Sequence, residues 1–514
     1  MLLREMHIRI STKINSLSMV KSADIGPALN LSTGIAGLDE ILCGGLTAER
    51  LYLVEGMPGA GKTTLALQFL MEGVRSHEPV LYITLSETQN ELQAVAESHG
   101  WQLDGIQVHE VITSEDLLDP AQQHTMFHPS EVELGDTTRN ISTIVETLKP
   151  KRVVIDSLSE LRLLAGNPLR YRRQILAYKQ FFSRRACTVL MLDDRPDSHD
   201  MQIRSIAHGV IGLDQTESDY GIGRRRLRVI KYRGVASRDG YHDYKIRRGG
   251  VVVFPRLVAA ETRAFSKRQL VSTGIPPLDT QFGGGIDIGT STMIGGPPGT
   301  GKSTLAAQFV AASIDRGDKA AMFIFEESTN VLLNRCDGIG IDLKSALDAG
   351  KVTIQQIDPA EMTPGEFTSQ VCTAVEKDHV KLIVIDSLNG YLNAMPNDRF
   401  LTLHLHELLI YLGQRGVTTI IVGVHQGILG GNMSSAIDAS YLADNVLLLR
   451  HFEFNGEVRQ AISVFKKRGS VHERSIREYS ITSQGIRVGR VLKQFHGVLT
   501  GVPTFEGHKL DDEN

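Results

Sequence analysis

Very little in this sequence is suited to covalent stapling or to burial in lipid. It has one tryptophan and four cysteines in 514 residues. Cys43, Cys187, Cys336 and Cys372 lie far apart and form no CxxC pair, which argues against a disulfide framework or a thiolate zinc site and for reduced thiols. No apolar run approaches the ~20 residues a membrane helix needs. The opening MLLREMHIRISTKINSLSMVKS has no continuous apolar core followed by small residues, so no secretory signal is read there. An excess of one charge sign is also missing. The 55 Lys and Arg nearly balance 59 Asp and Glu, giving a net charge of −4 and no general basic field for nucleic acid. What remains is a soluble, cytoplasmic, globular chain, and 41% apolar with 22% charged residues fits that class.

The length exceeds one ordinary core, and the chain solves this by writing one unit twice. STGIAGLDEILCGGL from Ser32 returns as STGIPPLDTQFGGGI from Ser272, and GMPGAGKTTLALQFL from Gly56 returns as GPPGTGKSTLAAQFV from Gly296. RVVIDSLSEL from Arg152 is answered by LIVIDSLNGY from Leu382, and LRVIKYRG from Leu227 by ISVFKKRG from Ile462. Lys62 and Lys302 lie 240 residues apart, far beyond a solenoid period, so a whole domain is duplicated. Within each copy, strand-length apolar runs such as LYLVEG, VLYITL, RVVIDS and CTVLML alternate with helical patterns such as KTTLALQFLMEGVRS. Continuous apolar strands alternating with helices predict an α/β fold with a mainly parallel sheet covered on both faces. The expected layout is an N-terminal extension over 1–24, a first domain over 25–258, a linker over 259–268, a second domain over 269–500 and a flexible tail over 501–514.

Both copies carry GxxxxGK(S/T) between an apolar strand and a helix, the context this phosphate loop requires. Gly56, Gly59 and Gly61, with Gly296, Gly299 and Gly301, let backbone N–H groups curl around phosphate oxygens at a helix N-terminus. Lys62 and Lys302 reach for the outer phosphates, and Thr63 and Ser303 offer a hydroxyl to Mg²⁺. Thr64, Thr300 and Thr304 complete the two loops. Asp156 and Asp386, each ending a buried strand, are the expected second holders of the hydrated Mg²⁺. ATP and Mg²⁺ are therefore the expected ligands.

Together, the repeat, the STGIxxLD entry, EGMPGAGKTT, VIDSLS and KxRG resemble the KaiC family of circadian-clock ATPases and autokinases, within the RecA-like superfamily. The resemblance runs from about Leu31 to about Ser480. It implies two tandem RecA-like domains, a homohexamer of stacked rings with ATP at subunit interfaces, and partners of KaiA, KaiB or histidine-kinase type. It also implies that two adjacent glutamates after the second strand act at the γ-phosphate, one activating the attacking group and one supporting it. Glu326 and Glu327 match both, whereas in the first copy Ser86 stands in the leading place and only Glu87 remains. A serine hydroxyl is a poor base at pH 7. Most ATP turnover is therefore expected in the second domain, and tight binding that supports assembly in the first.

By the same resemblance Lys231 and Arg233, and Lys466 and Arg468, reach the nucleotide of the neighbouring subunit; alternation along a strand points each pair one way. Arg224, Arg225 and Arg226 are read instead as a solvated strand edge. Ser440 matches the family's phosphoacceptor serine and Ser435 an upstream threonine, but Tyr441 stands where the adjacent threonine belongs. His99 and Ile339 align where the family packs a ring against adenine. A DNA-handling RecA-like motor and a nucleotide-gated scaffold with little turnover are the competing readings. The charge balance and the absence of a helix-hairpin-helix or zinc module count against the first.

Overall fold

The computed structural model describes residues 30–111, 129–194, 202–217, 221–259, 269–393, 400–424, 442–499 and 504–505. The chain forms two compact units, one of residues 1–215 and 225–253, the other of 216–224 and 254–514. Ser440, Tyr441, Ser435, the 1–24 extension and nearly all of the 259–268 linker lie outside the described residues.

The first sheet has nine strands: β1 (Leu51–Gly56), β2 (Val80–Thr84), β3 (Ile106–Glu110), β4 (Arg152–Asp156), β5 (Thr188–Asp194), β6 (Gly209–Thr216), β7 (Arg224–Tyr232), β8 (His242–Arg247) and β9 (Gly250–Phe254). Their order is β3-β2-β4-β5-β1-β6-β7-β8-β9. The second unit repeats it with β10 (Ser291–Gly296), β11 (Ala320–Ile324), β12 (Val352–Gln356), β13 (Leu382–Asp386), β14 (Thr418–Val424), β15 (Asn445–Phe454), β16 (Glu457–Lys467), β17 (Arg477–Thr482) and β18 (Gly485–Val491), ordered β12-β11-β13-β14-β10-β15-β16-β17-β18. Neighbours from β12 to β15 pair parallel, and β15 to β18 add an antiparallel extension. The tandem RecA-like α/β architecture expected from the sequence is the one observed.

Why the central strands read as unbroken apolar runs is visible in β1, which is buried throughout. Tyr52 and Val54 face one core with Leu65 and Phe69 of the helix Lys62–Arg75, while Leu51 and Leu53 face another with Tyr171 and Ile175. Met293 and Ile294 divide between two cores of the second unit in the same way. A sheet covered on both faces leaves no strand position for a polar residue except at its ends, so polar chemistry collects there.

Two stretches differ from expectation. Arg224–Arg226 do not form an edge, because β7 lies inside the sheet between β6 and β8. The chain returns after Tyr241 to pair His242 with Leu227, and the Tyr241 ring takes the guanidiniums of Arg226 and Arg228 at 5.1 and 5.2 Å. Within the expected tail, Thr504–Phe505 pairs antiparallel with Phe495–His496, and the Phe505 ring meets those of Phe454 and Phe495 at a tilt, with centroids 5.2 Å apart in each pair. Among the described residues no helix is long and apolar enough to cross a membrane, and none of the four cysteines forms a disulfide.

Candidate nucleotide site

Both phosphate loops leave the carboxyl end of the central strand and turn into a helix, where open parallel sheets place their ligands. The turn depends on glycine. Gly61 and Gly301 take φ of 91° and 81°, and a Cβ on them would lie 2.6 and 2.4 Å from the Cδ1 atoms of Ile246 and Ile481. Gly59 and Gly299, also at positive φ, face the other way: a Cβ there would meet nothing closer than 3.9 and 3.7 Å. The loop is thus pinned from beneath at its last glycine and open above its middle one, a cradle that leaves room for phosphate oxygens.

Lys62 and Lys302 are both buried at the helix start. Lys62 Nζ donates to the carbonyls of Gly56 and Met57 and pairs with Asp194 Oδ1 at 2.9 Å. Lys302 Nζ donates to the Pro297 carbonyl at 2.9 Å. Burial lowers its pKa, and the charges of Asp386 and Glu326 pull it back up.

The strand-end aspartates adjoin the loops. Thr63 Oγ1 donates to Asp156 Oδ2 at 3.1 Å, and Tyr82 Oη donates to the same oxygen at 2.6 Å. Burial raises the Asp156 pKa against these two hydrogen bonds. Met322 occupies the place of Tyr82 in the second unit and donates nothing. There burial pushes Asp386 up to about 6, opposed by a hydrogen bond from Ser303 and reinforced by Glu327. Its Oδ2 is buried without a hydrogen-bond partner. An orphaned carboxylate oxygen beside a serine hydroxyl fits Mg²⁺, which takes one or two protein ligands and keeps its remaining places for water and phosphate. No denser cluster of His, Cys, Asp and Glu exists among the described residues.

Parallel pairing sets Thr84 beside Asp156 and Ile324 beside Asp386, and so brings the glutamates just past β2 and β11 to the same edge. The Ser387 hydroxyl donates to Glu326 Oε1 at 2.5 Å, and Arg335 pairs with Glu327 Oε1 at 2.8 Å. Each glutamate is therefore held by its own partner. In the first unit, position for position, Ser86 is exposed and Val95 stands where Arg335 does. Glu87 keeps one buried oxygen without a partner, and burial with the nearby Asp156 charge raises its pKa. His99 does sit beside the loop, with Nε2 3.4 Å from Thr64 Oγ1 and its ring on Trp101.

The four KxRG cations lie elsewhere. The Arg233 N–H bonds His208 O, and the His208 N–H bonds Leu51 O, at the start of β1 rather than its end. Arg468, Asp444 and Ser291 repeat this ladder at the start of β10. A six-residue strand at ~3.3 Å per residue puts about 17 Å between these cations and the phosphate loop of their own chain. Lys231 donates to the carbonyls of Arg204, Ser205 and Ala207, and Arg233 to that of Ser205. Burial and the charges of Arg233 and Lys179 lower the pKa of Lys231, and burial with the charges of Arg50, Arg233, Lys179 and Lys231 lowers that of His208. Lys466 donates to Ala443 O, and Arg468 pairs with Asp444 at 3.1 Å.

Sequence reasoning did not single out Arg335, Tyr82, Ser387 or Asp194. Arg335 stands where the first copy has Val95, the copy that also lacks the leading glutamate, which was a readable signal. Asp194 ends a buried strand where the second copy has Val424, also readable by comparing the copies.

The sequence matches the family model described as "ATPase: KaiC" twice, over residues 31–258 and 271–493. Its relatives include the circadian clock oscillator protein KaiC of Acaryochloris marina, 28% identical over 510 residues with 96% of this chain and 95% of that protein covered. The circadian clock protein KaiC3 of Synechocystis sp. is 26% identical over 483 residues, covering 92% and 94%. The circadian clock oscillator protein KaiC of Thermostichus vulcanus is 28% identical over 490 residues, covering 92% of each. With both halves matched in register with the two observed phosphate loops, the chain belongs to the KaiC ATPase family.

Proposed function

We propose that this protein is a cytoplasmic ring ATPase, a homohexamer whose second domain hydrolyses ATP and phosphorylates the chain itself, while nucleotide in the first domain chiefly holds subunits together. One observation carries the reading: Glu326 and Glu327 are each locked by a separate partner beside a complete phosphate loop, and the first unit has lost both the leading carboxylate and the arginine. In the second site Lys302 and the loop N–H groups hold the phosphates. Ser303 and Asp386 hold Mg²⁺, which neutralises phosphate charge when bound. Glu326, oriented by Ser387, accepts the proton of the attacking water or hydroxyl. Glu327, charge-paired with Arg335, keeps that edge in place.

The position of the KxRG cations at the far end of their own sheet supports delivery to a neighbour. A cation reaching across an interface stabilises charge on the transferred phosphoryl group. Ser440 is the proposed acceptor in self-phosphorylation. It lies four residues before Asp444, which Arg468 pairs with, so added phosphate charge would have cations at hand. Timing or signalling through partners of KaiA, KaiB or histidine-kinase type is the role this chemistry would serve.

Steady-state ATP hydrolysis by wild type and Glu326→Gln, with and without single-stranded DNA, tests the reading. Loss of one general base costs about 10²–10⁴-fold, so the variant is expected to lose nearly all turnover, and DNA to change nothing. A variant keeping more than half its turnover would make the first domain the engine. Strong stimulation by DNA would favour a nucleic-acid motor.

A further inference from the structure

We infer that Asp194 is the catalytic base of the first domain, taking the place that Ser86 leaves empty. The inference rests on the reading that Lys62 and its loop bind ATP.

Comparison of the two copies shows a carboxylate moved from one strand end to another. In the second unit, the Ser387 hydroxyl after β13 donates to Glu326. In the first unit the matching Ser157 has no glutamate at Ser86, and its hydroxyl hydrogen-bonds Ser159 instead. Ser159 Oγ in turn donates to Asp194 Oδ2 at 3.3 Å. The second copy has Asn389 and Val424 at these two places, so the chain of hydroxyls and its terminal carboxylate belong to the first copy alone. The polar edge has been rerouted from the end of β2 to the end of β5, the strand between β4 and β1.

That new position adjoins the reacting phosphate. Asp194 Oδ1 lies 2.9 Å from Lys62 Nζ, the ammonium that reaches the outer phosphates of a bound nucleotide. Asp194 is therefore one ammonium group away from where the γ-phosphate stands. Its side chain is 47% exposed while that of Lys62 is 10% exposed, so the carboxylate faces solvent and a water can sit against it. Glu87 is placed differently: it occupies the supporting position, with one oxygen buried and unpartnered. ATP must take Lys62 from Asp194 before reaction, and a carboxylate near phosphate oxygens repels them. Both effects suit slow turnover.

The step balances as a hydrolysis. The water oxygen bonds to the γ-phosphorus as the bond from that phosphorus to the β,γ-bridging oxygen breaks. The broken bond's electron pair leaves on ADP, and the water proton passes to Asp194, which returns it to phosphate or solvent.

The test uses the full chain carrying Glu326→Gln, with Lys62→Ala added to define the first domain's share of turnover. Asp194→Asn in the Glu326→Gln chain is expected to lower the kcat of the Lys62-dependent turnover about 100-fold or more. Its KM for ATP is expected to stay or fall, because a competitor for Lys62 has lost its charge. Asp194→Glu is expected to retain part of the rate, and radiolabelled ATP captured on filters reports that each variant still folds and binds. A kcat above half in Asp194→Asn makes Asp194 only a partner of Lys62 and overturns the inference; so does the absence of any Lys62-dependent turnover. ATP capture that is indifferent to Lys62→Ala in a Lys302→Ala chain is a separate result, and it overturns the reading of the first domain as a nucleotide site.

Discussion

Removing the charge of Asp386 is expected to trade activity for stability, with a pH signature set by its burial. The folded protein without metal holds Asp386 at about 6, against an ordinary value of 3.8, because burial disfavours its ionised form. Between those two values the folded chain binds a proton that the unfolded chain has released, so stability falls as pH rises through that window. The full displacement, near two pKa units, corresponds to about 3 kcal/mol at pH 7.5 with 1.36 kcal/mol per unit. About half of that is already lost at pH 5. Asp386→Asn carries no such charge, although its amide meets the place where Oδ2 finds no partner. Its absolute stability is therefore less informative than the trend. Calorimetric unfolding of both proteins without nucleotide or metal, at pH 4 and pH 7.5, isolates the effect. The wild type is expected to lose about 2–3 kcal/mol relative to the variant over that range, about 5–10 °C in the second unit's transition. ATP with Mg²⁺ is expected to reverse the order, stabilising the wild type and not the variant. Parallel pH curves, within ~0.5 kcal/mol, would refute the assignment of Asp386 as a buried carboxylate awaiting a cation.

Other perturbations separate the two copies. Arg152, buried against Glu78 and donating to the carbonyls of Ser32 and Phe69, is Leu382 in the second copy. Arg152→Leu leaves the partly exposed Glu78 without its partner and removes the donor to two carbonyls, and is expected to cost the first unit about 1–3 kcal/mol, read by chemical denaturation, with a loss under ~0.5 kcal/mol counting against it. Lys62→Ala is expected to deplete ATP-dependent hexamers in native mass spectrometry, and undiminished hexamers would remove the assembly role of the first domain. Phosphopeptide mapping after incubation with ATP and Mg²⁺ is expected to find label at Ser440. No label in the wild type, or equal label in Ser440→Ala, ends the autokinase proposal.

Features written in consecutive residues were legible from the sequence. The phosphate loops, the strand-end aspartates and the duplicated unit depend on local spacing, so Gly61, Lys62 and Asp156 were found where the fold puts them. Features set by which strands lie side by side were not. Asp194 meets Lys62 across 132 residues, and Ser387 meets Glu326 across 61. Comparing the copies marks Asp194 against Val424, but the partner of neither residue is legible until β5 and β13 have neighbours. Arg224–Arg226 misled for the same reason. A run of arginines reads as a free edge unless the return of His242–Arg247 and the Tyr241 ring are known to cover it.

The ladder that fixes Arg233 to the start of β1, and Arg468 to the start of β10, bears on inheritance as well as chemistry. A subunit in the proposed assembly owns half of two sites in each of its two stacked rings and all of none. A chain defective in its loop therefore spoils the site on one side of itself, and a chain defective in its cations spoils the site on the other. Mixed rings of a loop-defective and a cation-defective allele still contain junctions where an intact loop meets intact cations. Two silent alleles can thus complement each other, while a chain carrying both defects is dominant over its wild-type neighbours in proportion to its dose.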